Sequence, residues 1–163
     1  MTNTYIAAQR APLQLQLADP AIHDEVCAMM ITEDAAHPVP CLESLFNRTL
    51  YVNSHSQNRS LLYMLHNGFY GPYNRGAYPQ TIRHLHTNSK LQAQMNAAIA
   101  TVMAGSDFIQ GFTDQGLPTD PNGQRQPQMR LGGNIFNDWG GGPGGHDGAE
   151  LWRQAFEKAA KGA

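Results

Sequence analysis

The sequence predicts a mainly α-helical domain with long loops and at most a small β element. Leucine, isoleucine, valine and methionine recur at helical spacing in several separate segments. Only residues 129–136 suggest a short extended segment. The chain has 163 residues, of which 41% are hydrophobic, enough for one domain with its own core. Without an internal repeat or a linker-like stretch, we expect residues 1–163 to form a single domain.

Caps and prolines mark the expected helix ends. Residues 1–18 are polar and show no periodicity, so we expect them to form a surface arm. The first predicted helix begins at Asp19-Pro20, an N-cap followed by proline at the first helical position. It ends near His37, because Pro38 and Pro40 interrupt it. Four later helices are predicted over residues 40–50, 57–66, 89–105 and 147–158.

Three loops separate these helices. Residues 69–79 combine aromatic residues with glycine and proline, and residues 106–128 show little periodicity. Residues 137–163 are predicted to form a glycine-rich loop followed by the C-terminal helix. Long loops in compact domains usually carry function or move, so we expect the site to involve them.

Composition argues against several classes of partner. The formal net charge is −2 and no run of lysine and arginine occurs, so a nucleic-acid partner is not expected. No stretch approaches the roughly 18 apolar residues of a membrane span. A standard signal peptide is also absent from the N-terminus, which predicts synthesis in the cytoplasm.

No metal or cofactor is expected. Cys27 and Cys41 do not form a CxxC pair, and they are either buried thiols or, if their segments run antiparallel, a disulfide. The seven histidines contain no HExxH pattern, and His84-x-His86 lacks further ligands for zinc. The glycine-rich segments match neither common phosphate-binding pattern.

Glu33 is the side chain most strongly indicated for chemistry. It follows Ile22 by eleven residues and so falls on the same helical face as Ile22, Val26 and Met30. A carboxylate on such a face is costly unless it is paired or neutral. Burial would raise its pKa towards the value that a general acid needs. The alternative is a glutamate that bends into solvent or pairs with an arginine such as Arg48.

Aromatic and amide side chains cluster in the predicted loops. Flat apolar rings beside amide groups suit a sugar, whose faces are apolar and whose rim carries hydroxyls. We expect residues 134–146 to form one wall of a glycan groove, unless the rings only anchor the loops to the core. The predicted substrate-binding residues are Tyr70, Tyr73, Tyr78, Asn134, Trp139 and His146.

Several motifs, taken in order, resemble the spore-cortex-lytic-type cell-wall hydrolases. Those proteins carry a glutamate at the end of an early helix and an Asn-Arg pair in the next one. An aromatic and proline segment, an alanine-rich helix ending in glycine, and a Gly-Gly extended segment follow. The matching pieces here, within residues 20–136, are Glu33, Asn47-Arg48, 69–79, 97–105 and 132–136.

The resemblance implies a lysozyme-like fold and cleavage of the β-1,4 bond of peptidoglycan by a muramidase or a lytic transglycosylase. Glu33 would protonate the glycosidic oxygen. In a transglycosylase Glu33 then acts as base, whereas an inverting hydrolase needs a second carboxylate roughly 6.5–9.5 Å away. Asn47 and Arg48 are expected to support the site structurally. The candidates for a second carboxylate are Asp34, Asp114 and Asp138.

Two other functions are compatible with the same sequence features. The same fold could hydrolyse another polysaccharide, or it could be a non-catalytic glycan-binding module of a phage or secretion system. A buried Glu33 in a long cleft favours an enzyme, and an exposed or salt-bridged Glu33 favours a binding module. In either case export by a holin-like or secretion route is expected, as for an endolysin.

Overall fold

The computed structural model describes residues 2–163, except for the side chain of Tyr70. About 65% of the residues are helical and a small three-stranded sheet accompanies them, which confirms the predicted fold class. The helices are α1 (Thr4–Gln16), α2 (Pro20–Asp34), α3 (Pro38–Ser54), α4 (Leu61–Asn67), α5 (Tyr70–Asn74), α6 (Ala77–Thr87), α7 (Ser89–Met103) and α8 (Gly145–Gly162). The strands are β1 (Asp114–Gly116), β2 (Gln128–Leu131) and β3 (Asn134–Asn137).

Helix α3 lies at the centre of the fold. Every residue from Pro40 to Thr49 is buried, so this helix has no solvent-facing side over that length. Helices α1, α2, α4, α7 and α8 and strand β1 pack around it. Its buried residues include Glu43, Asn47 and Arg48, and buried polar side chains of this kind require partners.

Glu43 and Arg10 meet this requirement on one side of α3. The Glu43 carboxylate accepts hydrogen bonds from the Ser106 hydroxyl at 2.5 Å and from the Ile109 backbone N–H at 3.1 Å. The Arg10 guanidinium donates to the carbonyl of Val102 at 2.8 Å and to that of Ser106 at 2.6 Å. It also donates to Asn47 Oδ1 at 3.3 Å. These bonds fasten α1 and the segment after α7 to the central helix.

The surface arm expected at residues 1–18 is instead helix α1. Asn3 caps it by accepting a hydrogen bond from the Ile6 N–H at 3.1 Å. The buried stripe of α1 consists of Ile6, Arg10 and Leu13, at helical spacing. Because the middle position of that stripe is an arginine, a search for apolar periodicity does not detect it.

The loop expected at residues 69–79 contains helix α5 and the start of α6. Gly76 adopts the left-handed conformation, with φ of 68°, and turns the chain between them. Pro79 lies in the first turn of α6, where proline is tolerated. Helix α6 packs on α2, with Tyr78 and Leu85 buried. The prolines and glycines of this segment predict a loop, but packing against α2 stabilises helix α6 there.

The sheet has the antiparallel order β1-β3-β2. Strands β2 and β3 form a hairpin in the segment predicted to be extended, whereas β1 comes from the middle of an expected loop. All four residues of β3 are buried, and β1 packs on α3. Asp114 lies opposite Asn137 and Gln115 opposite Phe136. This register fixes the position of β1 beside the central helix.

Cys27 and Cys41 are both buried free thiols. Burial raises the pKa of the Cys27 thiol to about 12 and that of the Cys41 thiol as well. Both cysteines therefore act as small core residues. Among residues 2–163, no helix combines the length and the apolar character required to cross a bilayer.

A carboxylate pair between α8 and the segment after α7 predicts how stability depends on pH. Burial and the neighbouring Asp107 raise the pKa of Glu157 from an ordinary 4.5 to about 8. Between these values the folded protein holds a proton that the unfolded chain has released, so stability falls as pH rises from about 4.5 to 8. We expect Glu157→Gln to flatten this part of the melting-temperature profile, recorded from pH 4 to 9.

The control is Asp147→Asn, on the same helix, where the side chain is 96% exposed. The melting-temperature profile of this variant should match that of the wild-type protein. Parallel profiles for the wild-type protein and Glu157→Gln would show that the pair does not hold a proton in this range.

Candidate functional site

A surface cleft of about 400 Å³ opens between the end of α2, the start of α5 and strand β1. Its wall combines apolar side chains with charged and amide groups, as a site for a polar organic ligand requires. The residues that line it are Thr32, Glu33, Arg48, Gly68, Phe69, Gly71, Pro72, Arg75, Asp114, Gln115, Gly116, Leu117 and Asn134.

Glu33 lies in the last turn of α2 with its side chain partly buried in this cleft. Burial raises the pKa of its carboxyl above the ordinary 4.5, and the charge of Asp114 adds to that rise. The Gln115 amide and the guanidinium groups of Arg75 and Arg48 act in the opposite direction. The net effect is a raised pKa for a carboxyl group that a ligand in the cleft can reach.

The side-chain amide of Gln115 approaches Glu33 from β1. The contact does not have the geometry of a hydrogen bond, and both amide atoms are buried without a partner among the described residues. A buried amide without partners is costly.

Asp114 is the second carboxylate of the cleft, and it is already paired. It forms a short ion pair with Arg48 and accepts a hydrogen bond from the Gln115 N–H at 2.9 Å. The guanidinium of Arg125 lies 3.8 Å from its other oxygen. Asp114 therefore connects α3 with β1.

Asn47 and Arg48 anchor the chain as it enters β1. The Asn47 amide donates to the Phe112 carbonyl at 3.1 Å, and the Arg48 Nε–H donates to the next carbonyl, that of Thr113, at 2.9 Å. Arg48 also donates to the carbonyl of Gly68, after α4. Adjacent residues of α3 thus hold adjacent carbonyls of the loop, which is a supporting role behind the site.

The wall expected from residues 134–146 contributes only Asn134 to this cleft. Asp138 is fully buried, and both its oxygens accept from the Arg153 Nε–H, at 2.9 and 3.0 Å. Its carboxylate is therefore committed to an ion pair with α8. His146 lies at the start of α8, where Asp147 and Glu150 are close to it.

Trp139 packs on the core and does not line this cleft. The Arg48 guanidinium lies 4.8 Å from the centre of its ring, and the Tyr51 ring meets it edge-on. Gly141 and Gly142 lie against the indole, where an added Cβ would come within 2.7 and 2.9 Å of ring atoms. Because glycine has no side chain, the backbone at these two positions can cover the ring. This packing is a structural reason for the glycines of the segment.

Two of the three tyrosines expected to bind sugar, Tyr73 and Tyr78, also lie outside the lining of the cleft. Tyr78 is buried, and its hydroxyl has no partner among the described residues. Tyr73 stacks on His66 with 3.9 Å between ring centres. The side chain of Tyr70 falls outside the described part of the chain.

Sequence reasoning missed Arg75 and Gln115 as lining residues. Arg75 follows Asn74 at the end of α5, inside the aromatic segment 69–79. Gln115 belongs to a strand of three residues, too short for an alternating pattern. Of these two residues, only Arg75 could have been predicted from the sequence as part of the site, because it lies within a segment expected to contact the ligand.

Comparison of the chain with protein-family models, with curated proteins and with solved structures found no match. The resemblance to cell-wall hydrolases therefore depends on the motifs quoted above and stays a prediction.

The contacts of Arg48 predict a large stability effect. Replacement by alanine removes the ion pair with Asp114 and two bonds to carbonyls, and it leaves Asp114 with a weaker partner. We expect Arg48→Ala to lower the free energy of unfolding by about 3–5 kcal/mol, measured by urea denaturation.

Arg83→Ala is the matched control, because Arg83 is exposed on α6. It should change stability by no more than about 0.5 kcal/mol. A loss below about 1 kcal/mol for Arg48→Ala would contradict the supporting role.

Proposed function

We propose that the protein cleaves the β-1,4 glycosidic bond of peptidoglycan with Glu33 as general acid. The observation that carries the proposal is the place of Glu33, a partly buried carboxyl with a raised pKa in the wall of the cleft. A glycan-binding module gains nothing from such a group, because desolvating a carboxyl costs free energy. A general acid requires it, since the group must be protonated to donate.

The cleft supplies suitable contacts for a sugar. The Asn134 amide can pair with hydroxyl or acetamido groups, and Phe69 and Leu117 offer apolar surface to the face of a ring. These groups would hold the glycosidic oxygen near Glu33. The proton of Glu33 would then pass to that oxygen as the bond to the anomeric carbon breaks.

The pairing of the carboxylates favours a lytic transglycosylase over an inverting hydrolase. A hydrolase needs a second carboxylate free to activate water. Asp114 is occupied by Arg48 and Arg125, and Asp138 by Arg153. The third candidate, Asp34, is occupied by His37 and by the backbone N–H groups of residues 36 and 37. In a lytic transglycosylase the muramyl 6-hydroxyl attacks the anomeric carbon in place of water, and Glu33 is the one carboxyl group that this reaction requires. The ionised carboxylate takes the hydroxyl proton while the oxygen bonds to the anomeric carbon, and a 1,6-anhydro sugar forms.

Access to the wall would come from a holin-like pore or a secretion apparatus, as the sequence predicts. The alternative is that the same Glu33 serves to hydrolyse another polysaccharide. Assays on peptidoglycan distinguish the two functions, because only the first predicts its cleavage.

Glu33→Gln should abolish most of the activity. An amide keeps the shape of the side chain but cannot donate the proton, so we expect a rate about 10²–10⁴-fold lower with the fold retained. The measurement is mass spectrometry of muropeptides released from purified sacculi, in which 1,6-anhydro ends identify the transglycosylase reaction.

Asp34→Asn is the control. Asp34 is adjacent in sequence, and its Oδ1 accepts hydrogen bonds from the backbone of residues 36 and 37, which an asparagine retains. Activity of Glu33→Gln within a few-fold of the wild-type value would remove Glu33 from the mechanism. Hydrated reducing ends would exclude the anhydro-forming reaction.

The activity should fall as pH rises through the pKa of Glu33. Because the acid must be protonated and burial raises its pKa, the midpoint of the fall in kcat/KM should lie above the ordinary 4.5. Initial rates on soluble glycan strands between pH 4 and 9 test this. A midpoint at or below 4.5 would contradict a desolvated general acid.

A further inference from the structure

Arg75 is a cation of the cleft wall that has no ion-pair partner among the described residues. It caps the end of α5 and is exposed, and its guanidinium lies beside the cleft residue Gly71, where an added Cβ would be 3.5 Å from Nη1. The other arginine of the lining, Arg48, is buried and paired with Asp114. Arg75 is thus the lining guanidinium left available to a ligand.

The charges around the cleft leave a local positive excess, although the whole chain carries −2. Arg48 pairs with Asp114, and Arg125 lies behind the same carboxylate. Arg75 brings the guanidinium groups around the cleft to three, against the two carboxyl groups of Asp114 and Glu33. A cleft with such an excess favours an anionic ligand over a neutral one of the same shape.

We propose that Arg75 is a specificity-determining residue that binds a carboxylate carried by the glycan, so that the cleft selects acidic strands over neutral ones. This inference rests on the proposed function. A guanidinium and a carboxylate pair through two parallel hydrogen bonds, which adds orientation to attraction. On peptidoglycan the carboxylate belongs either to the lactyl group of muramic acid or to the stem peptide.

The same contact connects substrate binding with the state of the acid. Arg75 lowers the pKa of Glu33 in the unliganded protein, because its positive charge favours the ionised carboxylate. A bound carboxylate neutralises that charge, so Glu33 holds its proton more firmly in the complex. The alkaline limb of kcat, which reports on the complex, should therefore lie at higher pH than that of kcat/KM, which reports on the free protein.

The experiment compares three soluble glycans of equal strand length. Intact strands carry stem peptides, denuded strands carry a free lactyl carboxylate, and carboxyl-reduced denuded strands carry neither charge. Rates are measured for the wild-type protein, Arg75→Gln, Arg75→Lys and the control Arg83→Gln, on the exposed face of α6. Circular dichroism and melting temperature verify that each variant folds.

We expect the wild-type protein and Arg83→Gln to show a KM roughly tenfold lower for a carboxylate-bearing strand than for the reduced one. Arg75→Gln should show equal KM values for the charged and the reduced strands, and Arg75→Lys should retain part of the preference. In Arg75→Gln the limbs of kcat and kcat/KM should coincide. Preference for denuded strands identifies the lactyl carboxylate, and preference for intact strands alone identifies the stem peptide.

Equal KM values of the wild-type protein for charged and reduced strands would overturn the inference, as would an undiminished preference in Arg75→Gln. Either result leaves the proposed function standing, because the strands are still cleaved through Glu33. If the wild-type protein cleaved none of the strands, the proposed function itself would fail. Isothermal titration of Glu33→Gln with denuded and reduced strands would then show whether Arg75 still binds a carboxylate.

Discussion

The buried guanidinium of Arg48 holds together the elements that form the cleft. It reaches from α3 to the carbonyl of Gly68 after α4, to the carbonyl of Thr113, and to Asp114 at the start of β1. The rings of Phe69 and Trp139 cover it, at 4.4 and 4.8 Å from their centres. Because a buried cation without partners is very unfavourable, each of these segments is fixed relative to the central helix. The cleft lies where they meet.

Two carboxylates of the cleft receive different roles from their surroundings. Asp114 has Arg48 beside it and Arg125 behind it, so its charge is used to join α3 to β1. Glu33 forms no ion pair with any of the described residues and is partly desolvated, and this burial raises its pKa. When two carboxyl groups of one site have surroundings that differ in this way, their pKa values differ, so one can act as an acid and the other as a structural anion. This difference underlies the assignment of chemistry to Glu33 and of support to Asp114.

The glycine-rich segment after β3 shows how a composition suited to sugar binding also serves packing. An indole and several glycines occur together both where a ring faces a ligand and where a backbone must cross a ring closely. Here Gly141 and Gly142 lie on the Trp139 ring, and the backbone N–H of Trp139 donates to the Thr113 hydroxyl at 2.8 Å. The segment therefore stabilises the back of the site, and the ligand contacts that we propose come from Arg75 and Asn134.

The sequence by itself determined the fold class and the helices whose buried faces are apolar, such as α2 and α7, because helical spacing and caps are local properties. It also placed Glu33 on the buried face of α2. Helix α1 escaped prediction since its buried stripe includes Arg10, and β1 because three residues carry no pattern. Which carboxylate stays unpaired was decided only by the tertiary structure. Arg48 and Asp114 lie 66 residues apart, and local sequence does not record which arginine will meet which acid.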